Sequence, residues 1–196
     1  MKLSPGEKLS LLMLCDISKR VGGQPGIDPN FIEQTIYADQ LWGLDWEFTG
    51  IPYEREQTPK AVSETVDILD MFSLSTAHFK GLTSPDQKKV RESLGHSARF
   101  LDSFPGFDAN HDPHFGIAQY LVQHLKKFKD LPGATNNSHS QSSLPHYRVM
   151  LQAYRPLRAK LADRAFTAEE LIGIFKAGPK PQDGIVYVSG EDENDD

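Results

Sequence analysis

Cysteine is nearly absent: Cys15 is the only one in 196 residues. No internal disulfide is possible, and the composition fits a reducing compartment. Cys15 lies in the apolar run Leu11-Leu12-Met13-Leu14-Cys15. No neighbour in sequence would activate its thiol, so it reads as a small core residue. Long hydrophobic runs are missing too. That one is too short to cross a bilayer, Asp16, Lys19 and Arg20 follow it, and no small-residue cleavage site comes after it. The expectation is a soluble cytoplasmic protein without a membrane partner.

Charge of one sign is also scarce in the body of the chain. The formal net charge is −6, but five acids among the last six residues leave −1 for the rest. Overall charge therefore does not dismiss nucleic acid. No phosphate loop, H-E-x-x-H helix or cysteine-rich metal spacing occurs.

Helix signals fill much of what remains. Ser4-Pro5-Gly6-Glu7, Ser84-Pro85-Asp86-Gln87 and Thr167-Ala168-Glu169-Glu170 each read as a capping box. The first opens a helix with Leu9, Leu11, Leu12, Met13, Leu14 and Ile17 around most of its circumference, which implies a central helix touched from several sides. Asp28-Pro29 opens a second helix. Leu41 to Phe48, with Trp42 and Trp46, alternates apolar with small or acidic residues and reads as a short extended piece. The two tryptophans staple the first helices to the core, or line a groove or subunit contact.

Thr58-Pro59 starts the longest clean pattern, with Val62, Val66, Leu69, Phe72, Thr76 and Phe79 on one stripe. Glu64, Asp67 and Asp70 beside it read as solvated acids rather than paired catalytic carboxylates. A helix with Val90 and Leu94 follows. Tyr147, Met150, Leu151, Tyr154, Leu157 and Leu161 mark a later helical face, on which Pro156 predicts a kink. The reading is an all-α fold. The folded part ends near Ala177, and 178–196 is a linker with a flexible acidic tail, whose segment Gly184 to Val188 has strand propensity.

The most polar part is Gly106 to Tyr147, which holds five of the seven histidines. Its ends, Gly106-Phe107-Asp108-Ala109-Asn110-His111-Asp112 and Asn137-Ser138-His139 with Tyr147, flank an amphipathic helix. They face each other or lie on opposite sides; the sequence leaves this open. His111, Asp112 and His114 have ligand chemistry, but a third ligand would have to come from His139 or His124, and an Asp112 that caps the helix has its carboxylate engaged. No metal and no cofactor is expected. Arg148, Arg155, Arg158, Lys160 and Arg164 form a basic stretch opposed in sequence only by Asp163.

The ordered set Ser4-Pro5-Gly6-Glu7-Lys8-Leu9, Val66 to Phe72, Gly106 to Asn110, Asn137-Ser138-His139, Tyr147 to Leu151 and Ala168 to Ile172 resembles the YfbU-like family of bacterial proteins up to about Ala177. The resemblance implies a mostly helical fold over residues 1–177 in which a helical hairpin packs with a second multi-helix domain, with no internal boundary that the sequence places, and a bacterial cytosolic setting. It implies no activity and transfers no catalytic role. It gathers Asp108, Asn110, Asn137, Ser138, His139 and Tyr147 as a candidate polar site. The same residues suit turns and loop pinning through side-chain to backbone hydrogen bonds.

Three functions stay in play. The first is a self-associating protein-interaction or regulatory protein without catalytic activity, a homo-oligomer whose protein partner is unknown. The second is a hydrolase or small-ligand or metal-binding protein in which Asp108 and His139 share a pocket. The third is nucleic-acid binding through Arg148 to Arg164, which predicts salt-sensitive association.

Overall fold

A computed structural model describes residues 2–22, 26–50, 58–134, 138–139, 143–161 and 164–177. Asn137, Asp163 and the tail 178–196 lie outside the described residues. Eight α-helices account for most of the described chain: α1 Pro5–Val21, α2 Pro29–Tyr37, α3 Trp42–Glu47, α4 Lys60–Lys80, α5 Ser84–Leu94, α6 Pro113–Gln123, α7 Leu144–Ala159 and α8 Ala168–Ala177. A 3-10 helix spans Gly95–Leu101, and two-residue strands β1 (Phe107–Asp108) and β2 (Ser138–His139) pair in parallel. The all-α class is as expected.

The helices start where local chemistry stops them fraying. Ser4 accepts from the Glu7 N–H and the Glu7 carboxylate returns to the Ser4 N–H at 2.8 Å, a complete capping box. Thr167 and Glu170 do the same before α8, with the Thr167 N–H donating to Glu170 Oε2 at 2.9 Å and the Glu170 N–H to Thr167 Oγ1 at 3.2 Å. The cap of α5 lies one residue earlier than the sequence suggested. Thr83, with φ −62° and ψ 153°, is the extended residue whose hydroxyl takes the Asp86 N–H, and Ser84 is already helical.

The central helix is α4, not α1. Val62, Thr65, Ile68, Leu69, Met71, Phe72, Ser75, Thr76 and Phe79 of α4 are all buried. They spread over more of its circumference than one stripe, because α6, α7, α8 and the 3-10 helix all pack against it. Phe72 shows the result: Phe104, Tyr147 and Phe175 meet its ring edge-on at centroid distances of 4.8, 5.4 and 5.9 Å.

In α1, by contrast, Cys15 is the one buried residue. Its apolar residues exceed what one neighbour covers: Leu11 and Leu12 pack on Ile36, Leu41 and Leu44 in a small second core, while Leu9, Met13, Leu14, Ile17 and Val21 face outward. Ion pairs Lys8–Asp39 (2.9 Å) and Lys19–Glu33 (2.5 Å) close α1 and α2 into an antiparallel hairpin.

Leu41 to Phe48 is helical rather than extended. Trp42, Gly43 and Leu44 are buried on α3, and Trp42 meets Trp46 edge-on at 4.9 Å and Tyr120 at 5.3 Å. The alternation of residue types was overridden by packing against Tyr120. The tryptophans accordingly serve to staple the N-terminal elements to α6. α7 carries Pro156 within its span and continues to Ala159.

Candidate functional site

The two ends of the polar stretch face each other. β1 and β2 pair with Phe107 opposite Ser138 and Asp108 opposite His139. A parallel pair needs a crossover connection, and here α6 and the loop after it supply it. Asp108 and His139 are thus register partners in backbone.

The Asp108 carboxylate, however, is directed within its own turn. Its Oδ1 accepts the Asn110 N–H at 2.9 Å and the His111 N–H at 3.3 Å, and its Oδ2 lies 2.9 Å from His111 Nδ1. Asp108 is buried while the His111 side chain is 76% exposed. Burial acts to raise the Asp108 carboxyl, but the hydrogen bonds from the His111 ring and the two N–H groups outweigh it and hold it below its ordinary value. An ionised carboxylate only accepts, so His111 Nδ1 carries the hydrogen of this contact. Sequence reasoning named His111 only for its metal-ligand chemistry, not as the partner of Asp108. The i,i+3 spacing across a Gly-Phe-Asp turn was the available signal.

The other predicted site residues divide. Asn110 is exposed and contributes its N–H. Ser138 is exposed. Tyr147 is buried, and its hydroxyl donates to the Gly106 carbonyl at 2.7 Å, tying the start of α7 to the loop before β1. The Tyr147 and Asn110 contacts both run between a side chain and the backbone.

Asp112 is at the N-cap of α6, but its side chain makes no capping bond. Pro113 has no N–H to offer, and the Phe115 N–H goes to the Asp112 carbonyl at 3.2 Å. Asp112 Oδ2, His114 Nδ1 and Ser143 Oγ are buried without a hydrogen-bond partner among the described residues, all at the N-terminal turns of α6 and α7. Among those residues no group of three or more His, Cys, Asp or Glu is arranged to hold a metal ion.

Next to them is a centre that sequence reasoning missed. Glu64 of α4 accepts Arg148 Nε at 2.7 Å and Nη2 at 2.9 Å, and its Oε2 lies 3.0 Å from Nε2 of buried His114. The Arg148 hydrogen bonds, helped by His114, outweigh desolvation and bring the Glu64 pKa down to about 2.

Glu64 also begins a ladder between α4 and α7. Asp67 pairs with Arg155 at 2.6 Å, Asp70 lies 3.5 Å from Arg158, and the Tyr154 hydroxyl donates to Asp70 at 2.5 Å. Arg164 pairs with Glu170 at 2.7 Å. The acids of α4 are therefore not simply solvated, and four of the five residues of the basic stretch have a carboxylate across from them. Lys160 is exposed at the end of α7. Positive charge matched in this way leaves little uncompensated surface for phosphates.

The fold is that of an all-helical protein whose polar motifs mainly join helix ends, with a short parallel strand pair as a clip. The chain belongs to the YfbU family, since residues 30–177 match the YfbU domain. Comparison with curated proteins and with solved structures finds no match. Among the described residues no helix is long and apolar enough to cross a membrane.

Proposed function

We propose that this chain is a self-associating protein-interaction protein without catalytic activity. The observation that carries this reading is where its apolar surface lies. Of the eight large hydrophobic residues exposed among the described residues, seven fall between Leu9 and Tyr37, and Val149 is the other. Scattered exposed hydrophobics are ordinary, but a concentration of them marks an interaction surface. The polar motifs support the same reading, because Tyr147, Asp108 and Glu64 hold backbone and helix ends together. Sedimentation velocity over a wide concentration range tests it: a sedimentation coefficient that rises with concentration is expected, and a concentration-independent monomer would end the proposal.

A second reading is a small-ligand or metal site around Asp108. It is favoured by the contact of His111 Nδ1 with the Asp108 carboxylate, by the paired backbone positions of Asp108 and His139, and by the unpartnered buried atoms of Asp112 and His114; the Asp112 N–H donates to the Asp108 carbonyl at 3.0 Å. Nitrogen-15 NMR of the histidine rings during zinc titration tests the metal form. Selective perturbation of His111 at micromolar zinc supports it, and no change at millimolar zinc removes it.

A further inference from the structure

The exposed apolar residues of α1 form one continuous ridge. Leu9, Met13, Ile17 and Val21 recur at every fourth residue, with relative exposures of 60%, 59%, 52% and 79%, and Leu14 lies beside them. A row of this spacing is the ridge that two helices interdigitate in the commonest class of helix packing. The other side of α1 is already occupied, since Leu11 and Leu12 pack into the hairpin core and Cys15 is buried. The ridge lies before the residues matched by the family, 30–177.

Resting on the self-association reading, we propose that α1 is the contact itself, with two copies crossing ridge to ridge and antiparallel about a two-fold axis. The balance of charge points to a second copy as the occupant: Lys8 and Lys19 are already paired with Asp39 and Glu33, and Arg20 with Asp16, so two copies of this face meet without a net charge to repel them. An antiparallel neighbour opposes the helix dipoles, whereas a parallel one sets like ends together. An anionic bilayer is a poorer match. Lys8 and Lys19 are held by Asp39 and Glu33 within the hairpin, Arg20 by Asp16, and Glu7 adds a further acid.

Area agrees with a reversible dimer. Five large side chains more than half uncovered present on the order of 500 Å² per copy, or about 1,000 Å² across the pair, near the lower bound of specific interfaces. Neighbouring Ile27 and Tyr37 are also exposed. Dissociation within an accessible concentration range follows.

The test uses the full chain. Sedimentation velocity compares the native protein, the double variant Met13→Glu/Ile17→Glu, and Val149→Glu as a control on α7, with circular dichroism reporting folding. Both ridge positions are solvent-exposed, so the variant is expected to fold as the native protein does. The expected result is a native dimer weakened roughly a hundredfold or more in the ridge variant and unchanged in the control. Association untouched by the ridge variant overturns this proposal and leaves self-association standing through another surface. A native monomer at all concentrations overturns both. Should the double variant unfold, Leu9→Ser serves in its place with the same outcomes.

Orientation is read separately by a spin label at Gly6→Cys, a site where an added side chain meets nothing within 4 Å. Antiparallel helices paired along the ridge place the two labels roughly 25–30 Å apart at 1.5 Å per residue. A distance under about 15 Å would show a parallel pair and overturn the arrangement.

Discussion

Tyr120 of α6 reaches Thr35 of α2, with their hydroxyl oxygens 2.5 Å apart in a buried contact, and Gly43 of α3 lies against the same phenol ring. A Cβ at Gly43 would stand 2.2 Å from the Tyr120 hydroxyl oxygen. One side chain thus docks the N-terminal elements onto the larger core. Gly43→Ala is expected to lower stability by about 1–3 kcal/mol through overpacking. Tyr120→Phe is expected to cost about 1 kcal/mol, since Thr35 Oγ1 retains its bond to the Phe31 carbonyl at 2.8 Å. Urea denaturation of the two variants checks both, and a neutral Gly43→Ala would contradict the docking geometry.

Glu64 supplies a pH dependence. Its folded pKa of about 2 lies below the ordinary value of 4.5, so the stability it contributes is present above pH 4.5 and is lost as pH falls toward 2. Replacing it leaves buried His114 and Arg148 without their carboxylate. Glu64→Gln is expected to be less stable than the native chain at pH 7, with the gap closing between pH 4.5 and 2. Chemical denaturation at a series of pH values measures that gap.

His78 acts at higher pH. Its Nδ1 accepts the Phe166 N–H at 3.0 Å, so that nitrogen is unprotonated, and burial, aided by the Arg158 charge, lowers its pKa below 6.5. A depressed histidine contributes stability above the unfolded value, and that contribution is lost as pH falls through the folded one. The protection factor of the Phe166 amide, its exchange corrected for the intrinsic pH dependence, should fall on acidification below about pH 6.5, and His78→Asn should blunt that response.

Asp108→Asn keeps the shape of its turn and removes the charge that fixes His111. The expected signature is a mixture of His111 tautomers in nitrogen-15 NMR, with faster exchange at the Asn110 and His111 amides. A His111 tautomer unchanged in the variant would show that Asp108 does not set it.

Local chemistry was legible in the sequence. Ser4, Asp28 and Thr167 announced their helices because an N-cap depends on residues within one turn. Asp108 and the Ser138–His139 segment were singled out, but their parallel pairing was not readable, since it depends on how α6 and its following loop return the chain. The helical state of Trp42 to Glu47 was hidden because packing against Tyr120, far along the chain, overrides residue alternation. The exposure of α1 was hidden for a related reason: apolar periodicity shows which residues can be covered, not how many neighbours come to cover them.

The ladder between α4 and α7 joins residues 84 to 88 positions apart. Such pairs form by closing a long loop, a step whose entropy cost precedes its reward. The ladder is therefore expected to form late in folding, after α5, α6 and the strand clip have shortened the intervening chain. Once closed, it acts as a latch on the way out: weakening the Asp67–Arg155 pair should quicken unfolding while leaving the folding rate nearly unchanged.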